Sequence, residues 1–252
     1  MQIFNRSKYI THRIRARQNF DKYDFIVQHS IENIKERLAE MQGFRPEKVL
    51  DIGARKGYFE EYENILGTEL HESLKPEYNN TLICDDEFLP FDEGSFDLII
   101  SVLNNHFIND LPGHLIQAKN ILLKGGLYIS SFLGGRTLHE LREAMLNYEI
   151  NYSGEVTPHI SPMIDIRDAA SLMQRCGFEG AAVDIETIEI EYPDVLKLMH
   201  DLRGMGETNC LIQSGYKLKK DAIDTINNIY KDICNGKILA TFEIITATGF
   251  KK

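Results

Sequence analysis

Val49-Leu-Asp-Ile-Gly-Ala-Arg-Lys-Gly57 is the stretch on which the reading of this 252-residue chain turns. It is a short apolar strand that runs into a glycine loop. Gly53 and Gly57 permit a tight turn and let the backbone approach a bound group closely. Working outward, short apolar runs recur at Ile65–Leu70, Thr81–Cys84, Phe96–Ser101 and Leu127–Leu133, with a helical pattern at Leu111–Leu123. Strands alternating with helices predict a mostly parallel sheet covered on both faces. Upstream, Val27, Ile31, Ile34, Leu38 and Met41 recur at helical spacing, so a helix is expected over Lys22–Met41, stopped by Gly43 and Pro46.

Downstream, Thr137 and Glu140 form a capping-box pattern ahead of a helix with Leu138, Leu141, Met145 and Leu146 on one face. A helix over Asp165–Cys176 ends at Gly177. Val183–Tyr192 alternates apolar and acidic residues, the pattern of a half-buried antiparallel strand. Pro193–Leu202 reads as a helix with proline in its first turn. Lys219–Cys234 reads as another helix and Leu239–Phe250 as a last strand. There are no repeats, low-complexity tracts or linkers. The expectation is therefore one α/β domain over residues 1–252, with a basic arm at 1–20 and helical or lid insertions over 134–235.

Composition excludes several classes. The net charge is −10, which argues against a general nucleic-acid binder, whose footprint is basic. No apolar run approaches the roughly 20 residues of a membrane helix. Cys84, Cys176, Cys210 and Cys234 are scattered without a paired spacing, as in a reducing compartment. Charge is uneven. The first twenty residues hold Arg6, Lys8, Arg13, Arg15 and Arg17 and no acid, which leaves −15 on the rest. A basic, acid-poor start fits either a targeting segment or a retained arm. The interruption by Phe4, Tyr9 and Phe20 and the lack of a small-residue cleavage signal favour an arm. Such an arm could touch anionic lipid, at roughly 1 kcal/mol per basic residue.

Open parallel sheets bind ligands at the carboxyl ends of their strands. Glu69, at the end of the second strand, is placed to accept hydrogen bonds from a ribose diol. Asp85, after the third strand, is placed to accept from an adenine amino group. A bare G-x-x-x-G is weak evidence, and a tight structural turn explains it equally well without these acids.

The motifs VLDIG at 49–53, DDEFLPF at 85–91 and GSFDLII at 94–100 resemble the class I S-adenosylmethionine-dependent methyltransferases of the methyltransferase-11 type. The stretches LGGRTLHELR at 133–142, TPHISP at 157–162 and DLRGMGETNC at 201–210 narrow the match. With IFNR at 3–6 and ATFEI at 240–244, they resemble the mitochondrial complex I assembly factor 5 family over nearly the whole chain. A more distant resemblance is to the malonyl-carrier-protein O-methyltransferase of biotin synthesis. The resemblance implies a Rossmann-like, seven-stranded sheet with an antiparallel last strand and S-adenosylmethionine as cofactor. Asp51, Gly53, Arg55, Gly57, Glu69, Asp85 and Asp86 are its implied contacts. It also implies a protein partner, a subunit of the respiratory NADH:ubiquinone oxidoreductase, and a link to arginine hydroxylation. Together with richness in Ile, Asn and Lys, it points to an alphaproteobacterial protein, cytoplasmic and near the inner membrane.

Two departures from the family pattern fall together. The central glycine of its D-x-G-x-G-x-G loop is Arg55 here, either a partner for the cofactor carboxylate or a plug that repels the sulfonium. From Asp51 to Glu69 is only 18 positions, which leaves room for a helix of about two turns, expected over Tyr58–Glu63. Candidate catalytic residues are His106, His159 and Glu207. His106 and Asn105 would face the cleft if the fourth strand ends near Ser101, with His106 a general base or merely bonded to a loop. His159, Glu207 and Asn209 are either lid residues, with glycines around Met205 allowing closure, or loop staples. Gly134 and Gly135 would turn beside the pocket, and Arg136 stands where relatives often carry an acid. Asp201 and Arg203 read as a surface ion pair. No His-x-Asp or His-x-Glu spacing offers a non-haem iron site, so no metal is expected. The alternatives to a methyltransferase acting on a protein are a non-catalytic assembly chaperone and a carboxyl O-methyltransferase for a small molecule or carrier protein.

Overall fold

The computed structural model describes residues 2–154, 156–213 and 222–252. In chain order its elements begin α1 (Arg6–Arg17), α2 (Phe25–Glu40), β1 (Val49–Ile52), β2 (Ile65–Glu69), β3 (Thr81–Ile83) and β4 (Phe96–Val102). Then follow α3 (Leu111–Ile121), β5 (Leu122–Leu133), α4 (His139–Tyr148), α5 (Ile166–Arg175) and β6 (Glu179–Tyr192). The last are α6 (Val195–Met205), α7 (Ala222–Ile233) and β7 (Ile238–Phe250). The helix expected from Lys219 begins, among the described residues, at Ala222; residues 219–221 lie outside them.

The strands form one seven-stranded sheet in the order β3-β2-β1-β4-β5-β7-β6. β1 pairs in parallel with β2 (Val49 opposite Ile65) and with β4 (Val49 opposite Leu98). β7 runs antiparallel to β5, from Leu127 opposite Phe250 to Leu133 opposite Ile244. This is the Rossmann-like class I methyltransferase order, with its last strand antiparallel. After β1 the chain builds β2 and β3 on one side, then returns to lay β4 on the other. The carboxyl ends of β1 and β4 therefore flank a topological switch point, where such sheets leave a crevice.

The chain divides into two compact units. One comprises Asp24–Leu133, Ile164–Ile185 and Ile244–Lys252 and contains β1 to β5. β1 is buried at every position, as expected of an inner parallel strand. On one face, Leu50, Ile52, Ile99, Tyr128, Phe132 and Ile245 pack with Leu115, Ala118 and Ile121 of α3 and Leu172 and Met173 of α5. Asp165 caps α5 by accepting from the amides of Arg167 and Asp168. The other unit comprises Met1–Tyr23, Gly134–Met163 and Glu186–Glu243. Its basic arm is a helix, α1, packed on α6, with Tyr9 fully buried and Arg13 at 5 % exposure. Among the described residues no helix is long and apolar enough to cross a membrane.

Several expected features are absent. Tyr58–Glu63 is a set of turns, not a helix. The backbone amides of Tyr58 and Phe59 both donate to the Tyr78 hydroxyl, at 2.9 and 3.0 Å, instead of opening a helical turn. No capping box opens α4. Thr137 donates to the Glu243 carbonyl, and the Glu140 carboxylate accepts from the Thr241 hydroxyl and amide. Long-range partners thus outcompete the local pair. Leu146 is exposed rather than on the packed face of α4. Pro193 precedes the Asp194 cap of α6 instead of occupying its first turn. Gly204 and Met205 lie in the last turn of α6, with Gly204 packed beneath the Tyr23 ring, so they do not form a closing loop. Asp201 pairs with Lys197 one turn away rather than with Arg203.

Candidate functional site

The carboxyl ends of β1 to β4 gather a set of buried polar groups within the sheet-bearing unit. Glu69 ends β2 with no exposed surface. Its Oε1 accepts the Arg55 amide at 2.8 Å and its Oε2 accepts the Leu70 amide at 3.3 Å. A carboxylate oxygen accepts more than one hydrogen bond. Both oxygens thus tie the end of β2 to the loop that follows β1. Asp85, one residue beyond Cys84, is exposed, and its Oδ1 accepts the Glu87 amide at 3.0 Å. Burial and the Asp86 and Asp85 carboxylates push the Cys84 thiol up to about 12, so this thiol is not a thiolate nucleophile.

Asp51 and Asp86 have structural tasks. Asp51 Oδ2 accepts from the Tyr78 hydroxyl at 2.8 Å. Burial and Asp51 raise the pKa of that hydroxyl far above the ordinary value, so it stays protonated. Asp86 is fully buried and accepts from Asn104 Nδ2 at 3.0 Å, while its backbone carbonyl accepts from His114 Nδ1 at 2.7 Å. The two glycines are required where they stand. Gly53 has φ +67, and a Cβ there would lie 2.8 Å from the Asn104 side chain. Gly57 has φ +85, and a Cβ there would lie 2.8 Å from the Tyr78 ring.

Arg55 is 5 % exposed and has φ 56, a left-handed conformation uncommon for a side-chain-bearing residue. Its Nη2 donates to the Leu103 carbonyl at 2.8 Å. Leu103, just past β4, is itself left-handed at φ 48. The bond joins the residues that follow β1 and β4, across the switch point.

His106 is buried, and its Nδ1 accepts the Leu133 amide at 3.4 Å. Asn105 turns into the core, donating to the Tyr128 hydroxyl at 2.8 Å.

The other unit holds His159 and Glu207. His159 Nε2 lies 2.7 Å from Glu149 Oε1, and Thr157 donates to Glu149 through its hydroxyl at 2.7 Å and its amide at 3.0 Å. Burial opposes the charge on Glu149, but the bonds from Thr157 and His159 hold its carboxyl below the ordinary value. Glu207 follows α6, its amide donating to the Leu202 carbonyl at 2.9 Å, and Asn209 Nδ2 donates to the Pro158 carbonyl at 2.9 Å. The Arg136 amide, after Gly134 and Gly135, donates to Glu243 Oε2 at 2.8 Å. Among the described residues no group of three His, Cys, Asp or Glu side chains is arranged to hold a metal.

Tyr78, Leu103 and Asn104 were not singled out from sequence. Tyr78 carries no local signal, since its partner Asp51 is 27 positions away. Asn104 did have one: it is a polar residue two positions past the end of an inner parallel strand, at a carboxyl end.

A family model described as a methyltransferase domain matches residues 50–130. The chain is 32 % identical to the mitochondrial arginine-hydroxylase NDUFAF5 of Danio rerio, over all of this chain and 83 % of the relative. It is 29 % identical to the malonyl-[acyl-carrier protein] O-methyltransferase of Gallionella capsiferriformans, over 67 % of this chain and 57 % of that protein. Among solved structures, the YcgJ protein of Bacillus subtilis aligns over 89 % of this chain and 99 % of its own, with a TM-score of 0.60 at 16 % identity. With the sheet order above, that likeness concerns the fold, while the full-length identity assigns the lineage: the chain belongs to the NDUFAF5 family.

Proposed function

We propose that this protein binds S-adenosylmethionine at the carboxyl ends of β1 to β4 and modifies a protein partner during assembly of respiratory complex I. One observation carries the cofactor reading. The Glu69 carboxylate stands at the carboxyl end of β2 and holds the glycine loop at Arg55. Glu69 would take the ribose and Asp85 the adenine, so the amino-acid tail of the ligand would run toward β1 and β4. Bound S-adenosylmethionine supplies a transferable methyl group, and the protein's share of such a reaction is mainly orientation. The partner reading rests on family membership, since the relative is named for action on arginine. Calorimetric titration of the full chain with S-adenosylmethionine and S-adenosylhomocysteine tests the first part, with micromolar binding expected and no binding overturning it. Capture of complex I subunits by the tagged chain from its own cells tests the second, and their absence overturns it.

A second reading is an assembly chaperone without catalysis. The Arg55–Leu103 bond favours it, because that bond spans the crevice where the tail of the ligand would lie.

A further inference from the structure

We propose that Lys8, His12 and Arg15 of α1, with Arg203 of α6 and the Thr208 hydroxyl, form a binding site for a phosphate monoester. All five residues belong to one compact unit, that of Met1–Tyr23, Gly134–Met163 and Glu186–Glu243, and none of them enters the cofactor reading above.

The cluster is built from two helices and the segment after the second. Lys8, His12 and Arg15 are spaced four and three positions apart, so they share one face of α1. The end of α6 packs on this helix. Gly206, at φ +83, caps α6, and a Cβ there would lie 3.4 Å from Ala16 Cβ and 3.8 Å from the His12 carbonyl. Arg203 stands one turn earlier, its carbonyl accepting the Gly206 amide at 3.3 Å. The chain then runs back along α1. Thr208 Oγ1 accepts from Arg15 Nη2 at 3.2 Å and lies 2.8 Å from His12 Nδ1. Further on, the Leu211 carbonyl accepts from Lys8 Nζ at 3.4 Å.

The cluster lacks a counter-charge. Among the described residues no carboxylate pairs with Lys8, His12, Arg15 or Arg203, and Arg15 Nε is buried without a hydrogen-bond partner. The cations act on one another instead. Burial and then the Arg15 charge, with Lys8 and Arg203 adding less, hold the His12 imidazole below its ordinary value, against a bond to the Thr208 backbone that raises it. Burial and the Arg203 charge lower the pKa of Arg15. A cation in the last turn of a helix is stabilised by the carbonyls there, which accounts for Arg15 and Arg203 singly. It does not account for gathering both beside Lys8, where like charges repel.

Two guanidiniums and one ammonium exceed what a single carboxylate would neutralise. A phosphate monoester carries close to two negative charges and three strong acceptor oxygens. Guanidinium forks match those oxygens in pairs, and the Thr208 hydroxyl adds a neutral group beside them.

Inorganic phosphate is the first probe, titrated into the full-length chain at fixed ionic strength and followed by calorimetry and melting. Saturable binding at one site is expected, with a rise in melting temperature. Arg15→Gln and Arg203→Gln should each weaken it about tenfold, the worth of a hydrogen bond to a charged group. Arg45→Gln removes an exposed positive charge outside the cluster and should change nothing. Equal weakening by Arg45→Gln would reduce the effect to net charge and overturn the proposal. Without phosphate, Arg203→Gln should melt no lower than the native chain, since it relieves repulsion. A lower melt would make Arg203 a helix-end cation and likewise overturn the proposal. Glycerol 3-phosphate, and phosphatidylcholine vesicles containing phosphatidic acid, separate a soluble ester from a lipid headgroup, because both present the same monoester. Binding lost in Arg203→Gln supports the site from either source. Binding that Arg203→Gln leaves intact, or failure of all three probes, would overturn it.

Discussion

Two buried carboxylate clusters are built on opposite plans. At the sheet edge, Asp51, Glu69 and Asp86 take their partners from Tyr78, Arg55 and Asn104, which lie 27, 14 and 18 positions away. In the other unit, Glu149 takes its partners from Thr157 and His159, eight and ten positions away. The first cluster exists only when parallel strands bring their carboxyl ends together. The second closes within one helix end and one loop. A topological cluster gathers its groups from several strands on one edge, the edge at which such sheets bind ligands. A local cluster staples its own segment.

The comparison breaks first at Tyr78. Its hydroxyl accepts two amides and donates to a buried carboxylate, so Tyr78→Phe strands three groups at once. A loss of about 3 kcal/mol is expected in urea unfolding. A loss under about 0.5 kcal/mol would show that water replaces the hydroxyl and that the loop does not depend on it.

Glu69→Gln tests the ligand side of the same edge. The amide of glutamine keeps one acceptor oxygen and loses the charge. S-adenosylhomocysteine affinity should fall about a hundredfold, as expected for two hydroxyls bonded to a charged group. Unchanged affinity would move the diol partner elsewhere.

Glu149→Gln sharpens the contrast with the local cluster. It should lower stability by ~1–2 kcal/mol, since neutral hydrogen bonds replace charge-assisted ones. The pH dependence has a definite sign. Because the folded-state carboxyl is held below its ordinary value of 4.5, its contribution is complete above that value. It is lost as pH falls below 4.5 through the lowered folded value. Acid melting of the native chain should therefore show a descending limb in that window that Glu149→Gln reduces. Coincident limbs would sink the assignment.

The smallest effect is expected at Arg37. Its two guanidinium nitrogens each lie 2.7 Å from an Asp184 oxygen, but the pair is half-exposed. Asp184→Asn should cost below about 1 kcal/mol, and less still at high salt. A larger loss would mean that this pair belongs with the buried clusters.

Much of this was legible without coordinates. The four apolar runs and the glycine loop place β1 to β5, because inner parallel strands must be apolar on both faces. Helix stops at Gly43 and Gly177 are chemical signals within a few residues of the event they mark. The strand-end positions of Glu69 and Asp85 were legible for a different reason: a strand end can be read from its own sequence. The failures share a cause. Thr137 and Glu140 make a sound capping pattern, yet both turn to partners in β7, more than 100 positions away.

By itself, then, the sequence determined the strands, the glycine loop and the strand-end positions of the acids, since strand and turn preferences are local, while the order of the sheet came from the family resemblance. Only the tertiary structure decided what the loop contains. The shortened segment after Gly57 forms no helix because Tyr78, brought up from beyond β2, takes the amides that would have opened one. Arg55 reaches Leu103 because β1 and β4 are neighbours in space, 48 residues apart along the chain. Burial of each such group depends on partners whose proximity no local pattern encodes.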